Sequence, residues 1–166
     1  DNCSAGLQYN LDQTTFTVAG VYTVQLTVTD ASGNQSTCTA SVTVNDNVPP
    51  VALCQNLTLI LDAEGTVSMT PSDIDAGSYD NTGTVQLSAS QTEFACNHLG
   101  TNNVTLVATD ETGNQAFCIA VVTVLDTIAP VAVCQAIQVT LNEAGIATIS
   151  GFDVDGGSAD NCGTGA

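Results

Sequence analysis

Polar and apolar residues alternate along much of the chain in short runs rich in valine and threonine, for example at residues 23–29 and 104–108. A period of two places every second side chain on one face of a strand, so these runs predict strands with one buried face. Turn-forming sequences such as Ser32-Gly33-Asn34 separate the runs, and no segment keeps the period of a helix. Strands about every 8 to 12 residues predict an all-β chain of antiparallel, immunoglobulin-like β-sandwiches.

The sequence also repeats itself with an 80-residue period. PVALCQ at 50–55 recurs as PVAVCQ at 130–135, TDASGNQ at 29–35 recurs as TDETGNQ at 109–115, and DIDAGSYDN at 73–81 recurs as DVDGGSADN at 153–161. A long fixed period is typical of tandem modules. It predicts the C-terminal half of a module at 1–48, a complete module at 49–128 and the N-terminal half of the next module at 129–166. Each half is expected to be completed by a neighbour.

The predicted module junctions contain proline, at Pro49-Pro50 and at Pro130. Proline fixes φ and removes a backbone donor, so short junctions of this kind are expected to be stiff. Modules that stack end to end across such junctions form a quasi-one-dimensional array. The sequence therefore predicts an extended rod.

Composition excludes several classes of partner. The chain has no Lys or Arg and 17 acidic residues, so it cannot neutralise the phosphates of a nucleic acid. No apolar run is long enough to span a bilayer. Seven cysteines in such a chain indicate an oxidising, extracellular setting, with reduced thiols in a cytosolic protein as the alternative. Because the chain begins with Asp, we expect a mature product or an excised segment.

The order of the motifs carries a resemblance to a known family. Pro-Val-Ala-x-Cys is followed by Asp-x-Asp-x-Gly-Ser-x-Asp-Asn, by Thr-Asp-x-x-Gly-Asn, and by a cysteine that precedes Val-x-Val-x-Asp. This order resembles the hyalin repeat (HYR) family, whose immunoglobulin-like modules occur in tandem in extracellular adhesion proteins and bacterial surface proteins. The resemblance covers essentially the whole chain. It implies adhesion or scaffold work outside the cell, and no catalysis.

The resemblance also implies a disulfide between Cys54, at the start of the complete module, and Cys118 on a late strand. Two buried thiols are the alternative, because reduced cysteine is itself a common core residue. Cys38 corresponds to Cys118, and Cys134 corresponds to Cys54, each one period away. Neither Cys38 nor Cys134 therefore has, within its own half module, the cysteine with which its counterpart is expected to pair. We expect Cys134 to pair with Cys38 of a neighbouring chain, or with the corresponding cysteine of the same polypeptide if the array continues.

The other three cysteines depart from the family pattern. A second bridge in the family joins an Asp-Asn-Cys corner to a Phe-x-Cys strand. Here the corner that should pair with Cys96 carries Thr82 instead of cysteine, and the strand position that should pair with Cys3 carries Val18. Cys96 is therefore expected to be a free, buried thiol. Cys162 and a neighbour's Cys3 would share one corner of a completed module and are a candidate pair.

Aspartates concentrate at predicted corners and junctions, and no basic side chain can neutralise them. The Asp-x-Asp spacing places two carboxylates on the same side of a corner, and calcium takes about six to eight oxygen ligands. The alternative is that these residues form turns and caps by accepting nearby backbone N–H groups. Asp30, Asp46, Asp110 and Asp126 lie at loop or junction positions, which also suit calcium. The candidate calcium ligands are Asp73, Asp75, Asp80, Asp153, Asp155 and Asp160.

Four sequons make Asn2, Asn34, Asn56 and Asn103 candidate glycosylation sites in a secreted eukaryotic protein. In a chain rich in Asn and Thr, sequons also arise readily by chance.

Catalysis has little support in the sequence. The single histidine, His98, precedes Leu-Gly in a predicted turn, and no set of nucleophile, base and orienting residue is recognisable. We therefore predict a structural repeat segment of an extracellular filament, stalk or adhesin, which is no enzyme. Its partners would be neighbouring copies of itself, with disulfides locking the completed modules. The alternative is a calcium-dependent adhesive module that binds glycan or protein ligands.

Overall fold

The computed structural model describes residues 6–164. Its strands are β1 (Gln8–Leu11), β2 (Gly20–Thr29), β3 (Gln35–Val44), β4 (Leu57–Ile60), β5 (Thr66–Ser68), β6 (Gln86–Ala89), β7 (Glu93–Ala95), β8 (Gly100–Thr109), β9 (Gln115–Leu125), β10 (Ala159–Asp160) and β11 (Gly163–Thr164). Helical structure in this range is limited to the short segments Pro71–Ile74, Cys96–His98 and Gly151–Val154. The all-β fold predicted from the alternating pattern is confirmed. No helix in residues 6–164 is long and apolar enough to cross a membrane.

The chain divides into two compact units. Of the described residues, the first unit contains 6–51, 78–86 and 108–116. The second unit contains residues 52–77, 87–107 and 117–164. Each unit therefore draws on segments that are distant in sequence. The module boundaries expected from the 80-residue period stay a prediction.

The first unit contains the antiparallel sheet β1-β2-β3. The turn between β2 and β3 is set by Asp30, whose Oδ1 accepts the backbone N–H groups of Ser32 and Asn34, each at 2.8 Å. Gly33 supplies the positive φ of 86° that this turn requires. The Asp-x-x-Gly-Asn motif thus closes a hairpin by local hydrogen bonding, and it pairs Gly20 with Val44 at the far end of the two strands.

A four-stranded sheet has the order β4-β9-β8-β6. Strand β4 runs parallel to β9, with Leu57 opposite Val122 and Ile60 opposite Leu125. Strand β9 is therefore an interior strand with hydrogen-bonded neighbours on both sides. By contrast, β3 has only β2 beside it within the described sheet, so its second edge has no strand partner there.

The hydrophobic core lies in the second unit, where alternate residues of β8 and β9 point inward. Val104, Leu106 and Val122 are fully buried, and Phe94 of β7 is the largest buried side chain. The buried members of this core are Leu61, Met69, Ile74, Phe94, Val104, Leu106, Ala120, Val122 and Val124. The period-two pattern in the sequence thus corresponds to one buried face on each long strand.

The chain after β9 contains little regular structure among its described residues. It is held by isolated bridges between residues 131 and 159 and between residues 134 and 155. The same bridges join residues 51 with 79 and 54 with 75. Residues 135–150 form no strand in the described structure, although β4 and β5 lie at the corresponding positions one period earlier.

Candidate functional site

A disulfide joins Cys54 to Cys118, the pair implied by the resemblance, across 64 residues of chain. Both cysteines are half-buried and pack against the core of the second unit. The bond ties the segment before β4 to β9, its parallel neighbour. In the chain-entropy model, closing a loop of this length stabilises the folded state by roughly 4 kcal/mol.

A second disulfide joins Cys96 to Cys162. The expectation that Cys96 is a free thiol is therefore wrong, and Cys162 is not left for a neighbour's Cys3. Cys3 itself lies outside the described residues. The error has a simple source: within its own module, the corner that corresponds to the family's partner for Cys96 carries Thr82. The structure instead uses the Asp-Asn-Cys corner that lies one period further along the chain.

Gly65 allows the corner at Asn161 and Cys162 to lie close to Cys96. The Cys96 Sγ lies 3.5 Å from the Gly65 carbonyl oxygen and 3.4 Å from the Asn161 carbonyl oxygen. A Cβ at Gly65 would lie 2.6 Å from that sulfur and 2.7 Å from the Asn161 oxygen, and the glycine has a φ of +72°. Gly145, its counterpart, has a φ of +70° and nothing within 4 Å of such a Cβ. The two glycines differ in packing and not in backbone conformation.

Cys38 and Cys134 are free, and both are exposed. Cys38 lies on β3 opposite Leu26, at the position that corresponds to Cys118 on β9. Cys134 forms a bridge with Asp155 in the backbone, just as Cys54 does with Asp75. The two free thiols therefore occupy the same local positions as the two halves of a formed disulfide.

Apolar residues that fill the core in one segment are exposed in its sequence copy. Leu61 is 2% exposed, whereas its counterpart Leu141, one period later, is 64% exposed. Met69 is 7% exposed and its counterpart Ile149 is 57% exposed. Residues 129–154 thus present an apolar face that is uncovered in the described structure.

The predicted calcium ligands Asp73 and Asp153 take part in turn chemistry. The Asp73 Oδ2 accepts the Thr70 N–H at 2.7 Å and the Thr70 hydroxyl at 2.9 Å. Asp153 makes the same two bonds with Ser150, also at 2.7 Å and 2.9 Å. These bonds, the backbone one first, hold the pKa of each carboxyl below its ordinary value. Both aspartates therefore cap a helical turn.

Asp75 and Asp155 also make local bonds. The Asp75 Oδ2 accepts the Gly77 N–H at 3.1 Å. The Asp155 Oδ1 accepts the Ser158 hydroxyl and the Ser158 N–H, and these bonds lower the pKa of Asp155. The Asp-x-Asp-x-Gly-Ser segments therefore form turns that organise their own backbone.

A different set of carboxylates comes together in the first unit. Within residues 6–164, the one group of three acidic side chains close enough to share an ion is Asp46, Asp80 and Asp110, whose ligand oxygens lie within 4.8 Å of one another. Thr82 Oγ1 lies 2.6 Å from Asp46 Oδ2 and 2.9 Å from Asp80 Oδ2. Of the six predicted ligands, only Asp80 belongs to this group, which we call the aspartate corner.

Asp110 is the buried member of the aspartate corner, at 6% exposure. Burial acts to raise its pKa, but hydrogen bonds from the Asn114 side chain and backbone, and then from Thr112, outweigh burial and hold the pKa below its ordinary value. Asn114 Nδ2 donates to Asp110 Oδ2 at 2.8 Å and reaches the Asp46 carbonyl oxygen at 3.2 Å. The Asp-x-x-Gly-Asn turn thus keeps Asp110 ionised beside two other carboxylates.

One oxygen of the corner, Asp80 Oδ1, is buried without a hydrogen-bond partner. The same atom of its counterpart Asp160 is also buried and without a partner. There, Asn161 Nδ2 donates to Asp126, the counterpart of Asp46, at 3.3 Å. Buried carboxylate oxygens without donors are costly, and the chain has no Lys or Arg to offset them. Oxygen ligands of this kind suit a hard cation such as calcium.

Sequence reasoning missed Asp46 and Asp110 as a pair because they belong to turns that lie far apart along the chain. A signal was present, since aspartate recurs at 46 and 126 and at 80 and 160 with the 80-residue period. No such periodicity can show which two turns meet. That information depends on the packing of the first unit.

Of the remaining candidates, His98 and Asn34 have local structural roles. His98 Nδ1 accepts the Ala95 N–H at 3.0 Å, and the ring lies edge-on to Phe94 at 5.8 Å between ring centroids. Among the sequons, Asn34 Nδ2 donates to Asp30 at 2.8 Å. Asn56 Oδ1 accepts the N–H of residue 121 at 2.9 Å, Asn103 is exposed on β8, and Asn2 lies outside the described residues.

No family model and no curated protein matches this chain.

Proposed function

We propose that this chain is a structural segment of an extracellular filament, stalk or adhesin, built from tandem immunoglobulin-like sandwich modules with an 80-residue period. The halves at 1–48 and 129–166 are completed head to tail by neighbouring copies, as the 80-residue period suggests. One observation carries the proposal. Leu141 and Ile149 are exposed, whereas their counterparts Leu61 and Met69, one period earlier, are buried in a core. A segment with this pattern gains stability when a partner covers it.

The cysteine chemistry supports an extracellular location. Structural disulfides persist where the setting is oxidising, and residues 6–164 contain two. The excess of 17 acidic residues over none that are basic favours solubility and disfavours contact with anionic surfaces. These features support a scaffold that is exposed to the outside of the cell.

The mechanical role rests on how the segments are tied together. The Cys96–Cys162 bond spans two predicted modules, because Cys96 belongs to module 49–128 and Cys162 to the next one. Such a bond carries load past the proline junction at residue 130. Contact between unlike halves is heterologous, and a heterologous contact that does not close into a ring propagates into a filament.

Sedimentation velocity and negative-stain imaging of the purified 166-residue chain test this function. We expect a concentration-dependent series of linear oligomers. A chain that remains monomeric at every concentration, in oxidising and in reducing buffer, would rule out assembly by completion of half modules.

A calcium-dependent adhesive module is the second candidate function. The aspartate corner favours it, because Asp80 Oδ1 is buried without a donor and two more carboxylates lie beside it. We expect calcium to raise the melting temperature of the chain, and Asp80→Asn to remove that increase. Glu143→Gln, at an exposed position in the other unit, is the control. Equal melting temperatures in calcium and in a chelator would end this candidate.

A further inference from the structure

We propose that residues 137–140 of one copy add as a parallel strand to the free edge of β3 in a second copy. Residue 137 would lie opposite Val42, residue 140 opposite Asn45, and Cys134 of the first copy would form a disulfide with Cys38 of the second. This inference rests on the proposed function and specifies its contact. Addition of a strand to an exposed sheet edge is a common mode of recognition between chains.

One edge of strand β3 is free in the described sheet. Strand β9 is flanked by β4 on one side and by β8 on the other, whereas β3 has only β2 beside it in the described sheet. Strand β4 pairs with β9 in parallel, with Leu57 opposite Val122. Moving each strand by the 80-residue period places Ile137 opposite Val42. The contact therefore copies a register that the chain already forms.

The apolar surfaces of the two strands are complementary. Ile137, Val139 and Leu141 are exposed, although Leu57, Leu59 and Leu61 pack in or against the core. On the receiving side, Ala40 is exposed, whereas its counterpart Ala120 on β9 is fully buried. Strands β4 and β9 pair with each other, whereas the corresponding residues 137–140 and strand β3 are both left largely exposed.

Charge also favours this pairing. Residues 137–141 and 38–45 contain no acidic side chain, in a chain that has 17 of them. Joining the two strands therefore buries no carboxylate, which would be costly in the absence of a basic partner. The backbone gains a further bond, because Leu61 N–H donates to the Leu125 carbonyl at 2.9 Å and Leu141 stands in the same relation to Asn45.

The two free cysteines, Cys38 and Cys134, indicate that a second copy of this chain binds at the β3 edge. Cys38 and Cys134 are unpaired and exposed within one chain, and they correspond to Cys118 and Cys54, which are bonded. The segment that matches β4 is supplied by residues 129–164 of this same sequence. A second copy therefore brings both the strand and the thiol that the β3 edge lacks.

The bond requires an oxidant, for which we name a low-molecular-weight disulfide. The Cys134 thiolate attacks one sulfur of that disulfide and releases one small thiol. The Cys38 thiolate then attacks the mixed disulfide, forms the Cys38–Cys134 bond and releases the second small thiol. Two protein thiols are oxidised and one small disulfide is reduced to two thiols.

The experiment is oxidation of the intact chain in a glutathione redox buffer, followed by non-reducing electrophoresis and mass spectrometry of cross-linked peptides. We expect a ladder of covalent oligomers whose cross-link joins Cys38 to Cys134. Cys38→Ser alone and Cys134→Ser alone should each abolish the ladder. A mixture of the two variants should give a single covalent dimer, because each then supplies one thiol.

A pair of surface variants tests the register. Val139→Asp places a carboxylate on the face that would turn inward and should lower the yield of oligomer at least tenfold. Thr140→Asp places it on the opposite face of the same strand and should leave the yield unchanged. Val139 and Thr140 are both exposed in the chain alone, so the melting temperature of the monomer should change in neither variant.

The outcomes separate this inference from the function on which it rests. Linear oligomers whose cross-links join other cysteines, or which form equally well with Val139→Asp, would overturn the register and leave the structural role in place. Covalent homodimers through Cys38 alone would overturn it as well. A chain that stays monomeric under all conditions would overturn both.

Discussion

Residues 49–81 and 129–161 share the motifs at their two ends and the same backbone bridges, yet they differ in what covers them. The first segment lies against β8 and β9, so Leu61 and Ile74 are buried. The second segment has no strand beside residues 135–150 in the described structure, and Leu141 is exposed.

Apolar residues recur at corresponding positions of the two segments, as with Leu61 and Leu141, but these two are buried only in the first segment. The local turns form in both copies, because each aspartate satisfies its bonds with neighbours in sequence, as with Asp73 and Thr70 or Asp153 and Ser150. Strand pairing is not local, and residues 135–150 form no strand in the described structure.

The largest expected difference concerns the cysteines. Replacing both Cys54 and Cys118 with alanine should lower the free energy of unfolding by about 4 kcal/mol, because the bond no longer restricts the unfolded chain. Cys134→Ala should leave the free energy of unfolding of the monomer unchanged, since Cys134 is free and exposed. Urea denaturation followed by far-UV circular dichroism measures both. An equal loss in the two cases would contradict the comparison.

Leucine truncation should show the next largest difference. Leu61→Ala removes a buried side chain and should lower the free energy of unfolding by about 3 kcal/mol. Leu141→Ala should change the free energy of unfolding of the monomer by less than about 0.5 kcal/mol. The same denaturation experiment distinguishes them, and a cost at Leu141 as large as that at Leu61 would mean that residues 129–154 are covered within one chain.

The glycine pair should differ by less. Gly65→Ala and Gly145→Ala both place a Cβ on a residue with positive φ, but only Gly65 faces Cys96 and Asn161 at close range. Gly65→Ala should therefore lower the free energy of unfolding by about 1 kcal/mol more than Gly145→Ala. Differential scanning calorimetry of the two variants tests this, and equal melting temperatures would show that the corner at Cys162 does not press on Gly65.

The smallest expected difference concerns acid. Hydrogen bonds lower the pKa of Asp73 and Asp153 in the folded chain, so their contribution to stability is present above the ordinary carboxyl pKa of about 3.9 and is lost as pH falls through the lowered value. Melting temperatures should therefore fall with acidification in that range. Asp73→Asn should reduce this dependence more than Asp153→Asn, because the turn of Asp73 leads into the buried Ile74. A pH dependence that both variants leave unaltered would contradict the assignment.

Much of the fold could be predicted from the sequence, because its signals are local. The alternation in β8 and β9 reflects one buried face, and the Asp30 and Asp110 turns follow from an Asp-x-x-Gly-Asn motif that satisfies its own hydrogen bonds. The Cys96–Cys162 bond could not be predicted in this way. It links the helical turn that begins at Cys96 to a corner 66 residues away, and only the packing of the second unit decides which of the similar corners reaches Cys96.

The aspartate corner shows the same limit. Asp80 was recognisable from its motif, but the approach of Asp46 and Asp110 depends on three separate segments of the first unit. Asp73 belongs to the same motif and was also a predicted ligand, but its carboxylate accepts a hydrogen bond from the Thr70 hydroxyl. Spacing alone identifies residues that can bind an ion or make a turn, and only their neighbours in space separate the two uses.

Hydrogen exchange of residues 136–141, measured in the reduced chain at low concentration and in the oxidised oligomer, would show whether these residues gain a strand partner on assembly. We expect rapid exchange in the reduced chain, because these residues have no strand partner in the described structure, and slow exchange in the oligomer, where we propose that they pair with β3 of a second copy. Equal exchange rates in the two states would contradict this proposal, since residues 136–141 would then gain no strand partner on assembly.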